Sequence, residues 1–319
     1  MWVVTGANGF IGSQMVRELN QRGIHHIAVV DTIPLAERKA PLLGTHFTEF
    51  LHRDELWAFL NTPEAQDKVE WIVHMGANSS TTEKNWQHLL DVNTHYTQKI
   101  FEWCALNTKP LIYASSAATY GAGELGYDDE TDAERLKPLN LYGDSKVQFD
   151  RWALKQTKTP PKWYGLKFFN VYGPGEAHKG AMASVAYKAF FQIKDGASLQ
   201  LFKSHKPDFK DGEQKRDFIY VKEVTNWMWE LTATQPASGV YNMGTGQARS
   251  WLDLARAVFA AMNRPEKIEF IEMPESLREQ YQYFTEAKMQ KWGRAGMSPP
   301  KWTLEEGVRD YVQNFLMKG

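Results

Sequence analysis

Along the first half of the chain, short apolar runs alternate with longer stretches whose apolar positions recur at helical spacing. WVVT (2–5) is strand-like, a helical pattern runs from about Ile11 to Arg22, and HIAVVD closes a second strand at Asp31. WIVHMGA (71–77) reads as a buried strand, with Val69 leading into it. From about Asn85 to Leu106 the residues Leu89, Val92, Tyr96, Ile100 and Trp103 mark one helical face. PLIYASS (110–116) is a further strand, Asn140 to Gln156 a helix, and KWYGLKFFNVYG (162–173) holds the next strand. Strands alternating with helices predict right-handed crossovers and a Rossmann-type doubly wound parallel α/β sheet. In that architecture ligands bind beyond the carboxyl ends of the strands. Gly6, Asp31, Gly76, Ser116 and Asn170 all fall at such ends, so one crevice should collect them.

The second half is more interrupted. AMASVAYKAFFQIKDG (181–196) predicts an amphipathic helix ending at glycine, SLQLF a short strand, and KSHKPDFKDGEQK (203–215) a charged surface loop. DFIYV and VKEVTNWMWELTA read as strand and helix, and GVYNMGTG (239–246) as a strand entering a glycine turn. A helix near 250–262, a strand at 268–272 and a terminal helix at 303–316 follow. These segments look too broken to extend the sheet simply, and they predict a smaller mixed α/β substrate domain. The expected division is 1–170 for the nucleotide domain, with 216–240 returning to it, and 171–215 plus 241–319 for the substrate domain.

Composition narrows the functions. At 319 residues there is ample length for a core, and 37 basic against 38 acidic side chains give no electrostatic case for nucleic acid or an anionic membrane. The single cysteine, Cys104, cannot form an internal disulfide and sits where a small buried hydrophobe is expected. No apolar run reaches the ~18 residues of a membrane span, and no signal-peptide core is seen. A soluble, cytoplasmic protein without a metal site is the expectation.

The chemistry begins at TGANGFIG. Gly6, Gly9 and Gly12 stand at intervals of three between a strand and a helix, with Asp31 about 20 positions further on. Such glycines let the backbone approach a pyrophosphate, and the helix N-terminus supplies free N–H groups. In NLYGDSK, Tyr142 and Lys146 lie four residues apart on one helical face. A free phenol titrates near ~10, too high for a base at neutral pH. A neighbouring ammonium is expected to favour phenolate and lower that value. Tyr142 could then exchange a proton with an alcohol while a hydride moves to or from nicotinamide. Lys146 would also donate to the cofactor ribose, and Ser116 to the substrate oxygen.

Taken together, TGANGFIG, Asp31, YASSAATYG, YGDSK, RDFIYV and YNMGTG resemble the extended short-chain dehydrogenase/reductase family over essentially the whole chain. The resemblance implies tightly held NAD or NADP, nucleotide-linked sugars as substrates, and return of the hydride to the same molecule. It also implies a homo-oligomer, often a pentamer. Dehydratases of the family carry an Asp-Glu pair after the hydroxyl residue; here Ala117, Ala118 and Thr119 follow Ser116, which argues against dehydration.

MGANSSTTE (75–83), FFNVYGPGEAHKGAMASVAY (168–187) and EQYQYFTEAK (279–288) are similar to the heptose 6-epimerase branch of that family, which serves lipopolysaccharide-core sugar synthesis. This implies an ADP-heptose substrate oxidised at C6 by NADP, with NAD possible. Rotation about C5–C6 and return of the hydride would then invert the centre. Protons must be delivered from two sides, and the resemblance assigns them to Tyr142 and Lys179. Lys179 suits the task only if desolvation or a nearby cation lowers its pKa. His178 could assist or could simply pack in its loop.

By the same resemblance Phe10 and Ile11 back the pyrophosphate loop, Asp31 and Thr32 meet the adenosine ribose, and Arg38 and Arg53 await a 2′-phosphate. Met75, Gly76, Ala77, Asn78, Ser79, Asn93 and Val171 would line the cofactor. Asn170, Ala181, Lys188, Leu201, Phe202, Lys203, Ser204, Arg216 and Tyr281 would contact the nucleotide sugar. Asp31 ordinarily favours NAD through the 2′-hydroxyl, whereas the two arginines favour NADP. The branch usually has serine at Ala181, histidine at Lys188, asparagine at Thr32, and a shorter 205–215 loop. Three rivals stand beside this reading: a UDP-hexose 4-epimerase, which needs only Tyr142 as base, another extended short-chain reductase, and a non-catalytic nucleotide-binding protein. Intact Tyr142 and Lys146 count against the last.

Overall fold

The computed structural model describes residues 1–38, 40–278 and 281–318. Seven strands build its main sheet: β1 (Trp2–Thr5), β2 (Ile27–Asp31), β3 (Glu49–His52), β4 (Trp71–His74), β5 (Leu111–Ser116), β6 (Trp163–Phe168) and β10 (Gly239–Met243). Their order is β10-β6-β5-β4-β1-β2-β3, and every pairing is parallel. Val3 and Val4 show why short, nearly unbroken apolar runs make such strands. Alternate residues point to opposite faces, and both faces are covered. On one side Val4, Val29 and Ile112 pack against Met15 and Leu19 of α1 (Phe10–Gln21) and Trp227 and Leu231 of α5 (Val221–Thr234). On the other, Val3, Val30 and Tyr113 pack against Ile100 and Phe101 of α2 (Tyr96–Leu106) and Phe149 of α3 (Leu141–Leu154). Each fully buried aliphatic or aromatic side chain there stabilises the fold by roughly 1.5–3 kcal/mol.

Two smaller sheets are found beside the main sheet among the described residues. β7 (Asn170–Tyr172), β9 (Lys215–Tyr220) and β11 (Ala248–Ser250) form a mixed sheet of order β11-β9-β7, and β8 (Leu199–Phe202) pairs with β12 (Ile268–Ile271). Ala186 and Phe190 of α4 (Val185–Lys194), Leu254 and Val258 of α6 (Trp251–Ala261), and Val308 and Tyr311 of α7 (Leu304–Tyr311) share the second core.

The structure departs from the sequence pattern in three places. β10 does extend the main sheet, by pairing with β6, although the later segments look too interrupted for that. It runs past residue 240, whereas β9 stays with the smaller sheet. β3 carries no signal in the sequence reading, because EFLH is a short edge strand with only partly buried side chains. The helix expected over 85–106 is broken by a π-helical turn, Leu90–His95. Cys104 is buried, and that burial pushes its thiol pKa up, away from reactivity. No helix among the described residues is long and apolar enough to cross a membrane.

Candidate active site

β1 and β4 are neighbours at the point where the strand order reverses, and Gly6 leaves β1 there with φ +63°. A Cβ at Gly6 would lie 2.5 Å from the Gly76 nitrogen, and one at Gly12 would collide with the Gly6 carbonyl oxygen. Only glycine lets the β1 turn, the 75–79 loop and α1 pack this closely. Gly9 is the N-cap of α1 and brings no side chain to satisfy its first-turn amides. Those amides and the positive end of the helix line a cleft of about 1030 Å³. A glycine-walled, uncapped helix end of this kind fits a dinucleotide diphosphate.

The cleft brings together Gly6, Gly9, Phe10, Ile11, Gly12, Asp31, Thr32, Arg38, Arg53, Met75, Gly76, Ala77, Asn78, Ser79 and Val171. The Asp31 carboxylate accepts from the amides of Asn8 (2.9 Å) and Ile33 (3.0 Å). Arg38 donates to the Asn8 carbonyl at 3.2 Å, so carboxylate and guanidinium meet at one end of the site. Arg53 lies over the Tyr96 ring, 5.6 Å from its centre. Asn93 does not line the cleft; it works from behind. It is held inward by the π-helical turn, accepts from the Asn78 amide (2.9 Å), and donates to the Asn78 carbonyl (3.0 Å) and Ser145 Oγ (2.9 Å). Sequence spacing alone gave no sign of that turn, a feature frequent near functional sites.

Asn140 caps α3 by accepting from the Gly143 amide at 2.8 Å, and the helix lays Tyr142 and Lys146 along the end of β5. Lys146 is 4 % exposed and donates to the Ala114 carbonyl at 2.9 Å. Burial lowers its pKa to about 8, against the pull of Asp150. The expected lowering of the Tyr142 phenol by Lys146 is not found. Burial raises the Tyr142 pKa, a hydrogen bond with Ser116 counters it, and Asp150 adds to the rise. The i, i+4 spacing fixed a shared helical face, but the long lysine side chain runs on to the Ala114 carbonyl. Ser116 Oγ accepts from the Ala118 amide at 3.1 Å, which leaves its own proton to donate.

Asp150, which the sequence reading missed, lies fully buried one turn beyond Lys146. It accepts from Tyr113 (3.0 Å), Ser115 (2.7 Å) and Lys167 (2.8 Å). The repeated four-residue step Tyr142–Lys146–Asp150 was the available signal.

Another wall comes from the segment between β7 and α4. Gly175 presses on Ser13 and Gln14 of α1, and Lys179 reaches over the Phe10 ring, 5.4 Å from its centre. Burial lowers the Lys179 pKa, Glu176 opposes this, and Lys188 lowers it further. His178 also lines the cleft, its pKa lowered first by burial and then by Arg38.

Asn170 and Ser116 line the same cleft, whereas Ala181 and Lys188 lie outside it, with Lys188 donating to the Ala181 carbonyl at 2.6 Å. Leu201, Phe202, Lys203, Ser204, Arg216 and Tyr281 are likewise outside the lining. Arg216, 6 % exposed, is stacked 5.6 Å from the Trp251 ring and 5.1 Å from Tyr281, with Phe202 packed on Tyr281 at 6.3 Å. Trp251 joins this aromatic cluster to the cleft, because it lines the cleft and donates to the Tyr281 hydroxyl at 2.8 Å. Lys203 is turned to the surface, paired with Glu272 at 2.8 Å. Glu279 and Gln280, the start of EQYQYFTEAK, lie outside the described residues.

Known proteins share both the sequence and this geometry. The model of the NAD dependent epimerase/dehydratase family matches residues 2–244. An ADP-L-glycero-D-manno-heptose-6-epimerase of Fusobacterium nucleatum is 46% identical, covering 100% of this chain and 98% of its own length. One of Nitratidesulfovibrio vulgaris is 47% identical over 99% of this chain and 98% of its own. The crystal structure of the Helicobacter pylori enzyme of that name superposes with a TM-score of 0.78 at 26% identity, covering 98% of this chain and 95% of that one. The family match takes in every strand of the main sheet together with Tyr142, Lys146 and the glycine cradle, and the two relatives extend the likeness to the ends: the chain belongs to the NAD dependent epimerase/dehydratase family.

Proposed function

We propose that this chain converts ADP-D-glycero-D-manno-heptose to ADP-L-glycero-D-manno-heptose by inverting C6, with NADP as its resident cofactor. Relatives of that name, at 46% and 47% identity over nearly their full length, support the substrate. One observation carries the mechanism: a single cleft is lined by Tyr142 with Ser116 and, from a different segment, by Lys179. Inversion needs a proton exchanged on each side of the reacting carbon, and two separately mounted groups suit that need.

A bound nicotinamide would supply the hydride acceptor and donor for C6. Gly6, Gly9, Phe10, Ile11 and Gly12 would hold its diphosphate, Asp31 and Thr32 the adenosine ribose, and Arg38 and Arg53 the 2′-phosphate that favours NADP over NAD. Met75, Gly76, Ala77, Asn78, Ser79 and Val171 would flank it, with Asn93 bracing the loop. Lys146 donates to the ribose. Ser116 donates to the substrate oxygen, and the neighbouring Tyr142 hydroxyl exchanges the proton on one side. Lys179 exchanges it on the other, its ammonium destabilised by burial and by Lys188. Asn170 would contact the sugar, whereas Ala181 and Lys188, outside the cleft lining, are sugar contacts by resemblance alone. Leu201, Phe202, Ser204 and Tyr281 would receive the nucleotide, with the Arg216 fork on its diphosphate, whereas Lys203 is turned away to Glu272. The strands and helices around Arg216 thus act as the substrate domain, and a homo-oligomer is part of the same reading.

The test is incubation of cofactor-loaded protein with ADP-D-glycero-D-manno-heptose, followed by NMR of the C6 configuration. Conversion to a mixture of both epimers is expected. Unchanged substrate, or turnover of UDP-hexoses at C4 instead, would reject the assignment.

A further inference from the structure

The segment that carries Lys179 is closed by one buried side chain. Glu176 is fully buried, and its carboxylate accepts from the Gly173 amide (3.2 Å), the Ser184 amide (2.5 Å) and the Ser184 hydroxyl (2.7 Å). Gly173 begins the segment and Ser184 caps α4 at its end, so one carboxylate ties both ends together. Tyr311 of α7, a residue 1 % exposed, also faces the carboxylate. Between the ties the Lys179 amide donates back to the Glu176 carbonyl at 2.9 Å. Gly173, Gly175 and Gly180 have φ of +140°, +96° and +52°, conformations that side chains resist. Glycines at these positions raise the entropy lost on ordering, so the backbone alone would hold the lysine poorly. A buried carboxylate is costly unless its oxygens are satisfied, and here the two ends of the segment supply the donors while Tyr311 closes over it.

We infer that Glu176 is the positioning residue for Lys179, a buried carboxylate through which α7 and both ends of the loop fix the second proton-exchanging group in the cleft. The inference rests on the assignment of Lys179 proposed above. Glu176 touches no reacting atom; it acts through the lysine. The groups facing that lysine come from several elements. Glu176 faces it from its own segment, Lys188 from α4, and the Phe10 ring from α1, while neighbouring His178 faces Arg38 and Asp31. Tyr311 faces Glu176, and Tyr187 of α4 lies near Tyr311. Of the charged groups, Glu176 alone stabilises the Lys179 cation, and the Phe10 face adds a weaker cation–π attraction.

The experiment compares Glu176→Gln with wild type in the full-length, cofactor-loaded protein, and repeats the change in a Lys179→Met background. Misplacing Lys179 should lower kcat roughly 10- to 100-fold with KM and cofactor content retained. The pH limb that Lys179→Met abolishes should move to lower pH, since the cation loses its stabilising neighbour. In the Lys179→Met background Glu176→Gln should slow the residual reaction no further. An equal loss in both backgrounds, or no loss in the wild-type background, overturns the inference. Full activity in Lys179→Met alone removes the second-base reading and this inference with it. Loss in Lys179→Met beside an unaffected Glu176→Gln removes only the positioning role. Should Glu176→Gln fail to fold, Tyr311→Phe removes the hydroxyl that faces the carboxylate and keeps the test. It should cost severalfold in kcat when Lys179 is present and nothing when it is absent, and any other pattern refutes the idea.

Discussion

Tyr142 and Lys179 line one cleft but are held by opposite kinds of structure. Tyr142 rides a 14-residue helix, capped by Asn140 and packed across the end of β5 through Phe149 and Ala153. Lys179 sits in a short, kinked turn between glycines, secured by the Glu176 carboxylate rather than by repetitive backbone bonding. The first group inherits its place from the fold; the second owes its place to a few side chains. Groups of the first kind tolerate changes in their surroundings, and groups of the second kind should be sensitive to single distant substitutions.

The largest effect should come from the rigid side of this comparison. Tyr142→Phe removes the proton-exchanging hydroxyl and should lower turnover roughly 10²- to 10⁴-fold, measured as C6 inversion by NMR, with thermal stability unchanged. Lys179→Met should fall toward the low end of that range and keep its cofactor, read from absorbance of the purified protein. If Lys179→Met is the more damaging of the two, the loop rather than the helix dominates.

Asp150→Asn probes the support beneath the helix. It leaves Lys167 buried, 4 % exposed, without its 2.8 Å partner. Breaking such a pair costs roughly 3–5 kcal/mol, to be seen in chemical denaturation, and an unchanged midpoint would show that the network is not structural.

A smaller effect concerns His74, at the end of β4. It is buried between Thr5 (2.5 Å) and Thr97 (3.0 Å), and burial, then Lys146, lowers its pKa to about 3. Unfolded, it titrates near ~6.5, so between these values only the unfolded chain binds the proton. Its contribution to stability is complete above about 6.5 and is lost progressively as the pH falls toward 3. His74→Gln should flatten the slope of unfolding free energy over that window.

The same contrast explains what could be read from the sequence. The buried runs IAVV and WIVH announced strands, and the glycine spacing announced the cradle, because both follow from periodicity and backbone geometry. β3 escaped because its side chains are only partly buried, and the π-helical turn because its residues keep a helical pattern. The electrostatics of Tyr142 were misread because spacing tells which face a side chain leaves from, not where its end arrives. Glu176 and Asp150 look like ordinary polar residues in a string of letters. Their burial depends on partners far along the chain, Tyr311 for one and Tyr113 and Ser115 for the other. The resemblance lists Arg216 and Tyr281 among the same nucleotide-sugar contacts, but the stacking of Arg216 on Tyr281 and Trp251 is visible only in three dimensions.

The central claim is that two differently mounted groups each serve one side of the same carbon. Single-turnover nicotinamide reduction, begun separately from each C6 epimer of the ADP-heptose, tests it directly. The account predicts a crossed result, with Tyr142→Phe slowing oxidation of one epimer and Lys179→Met slowing the other. Both variants slowing the same epimer, with the other untouched, would contradict it.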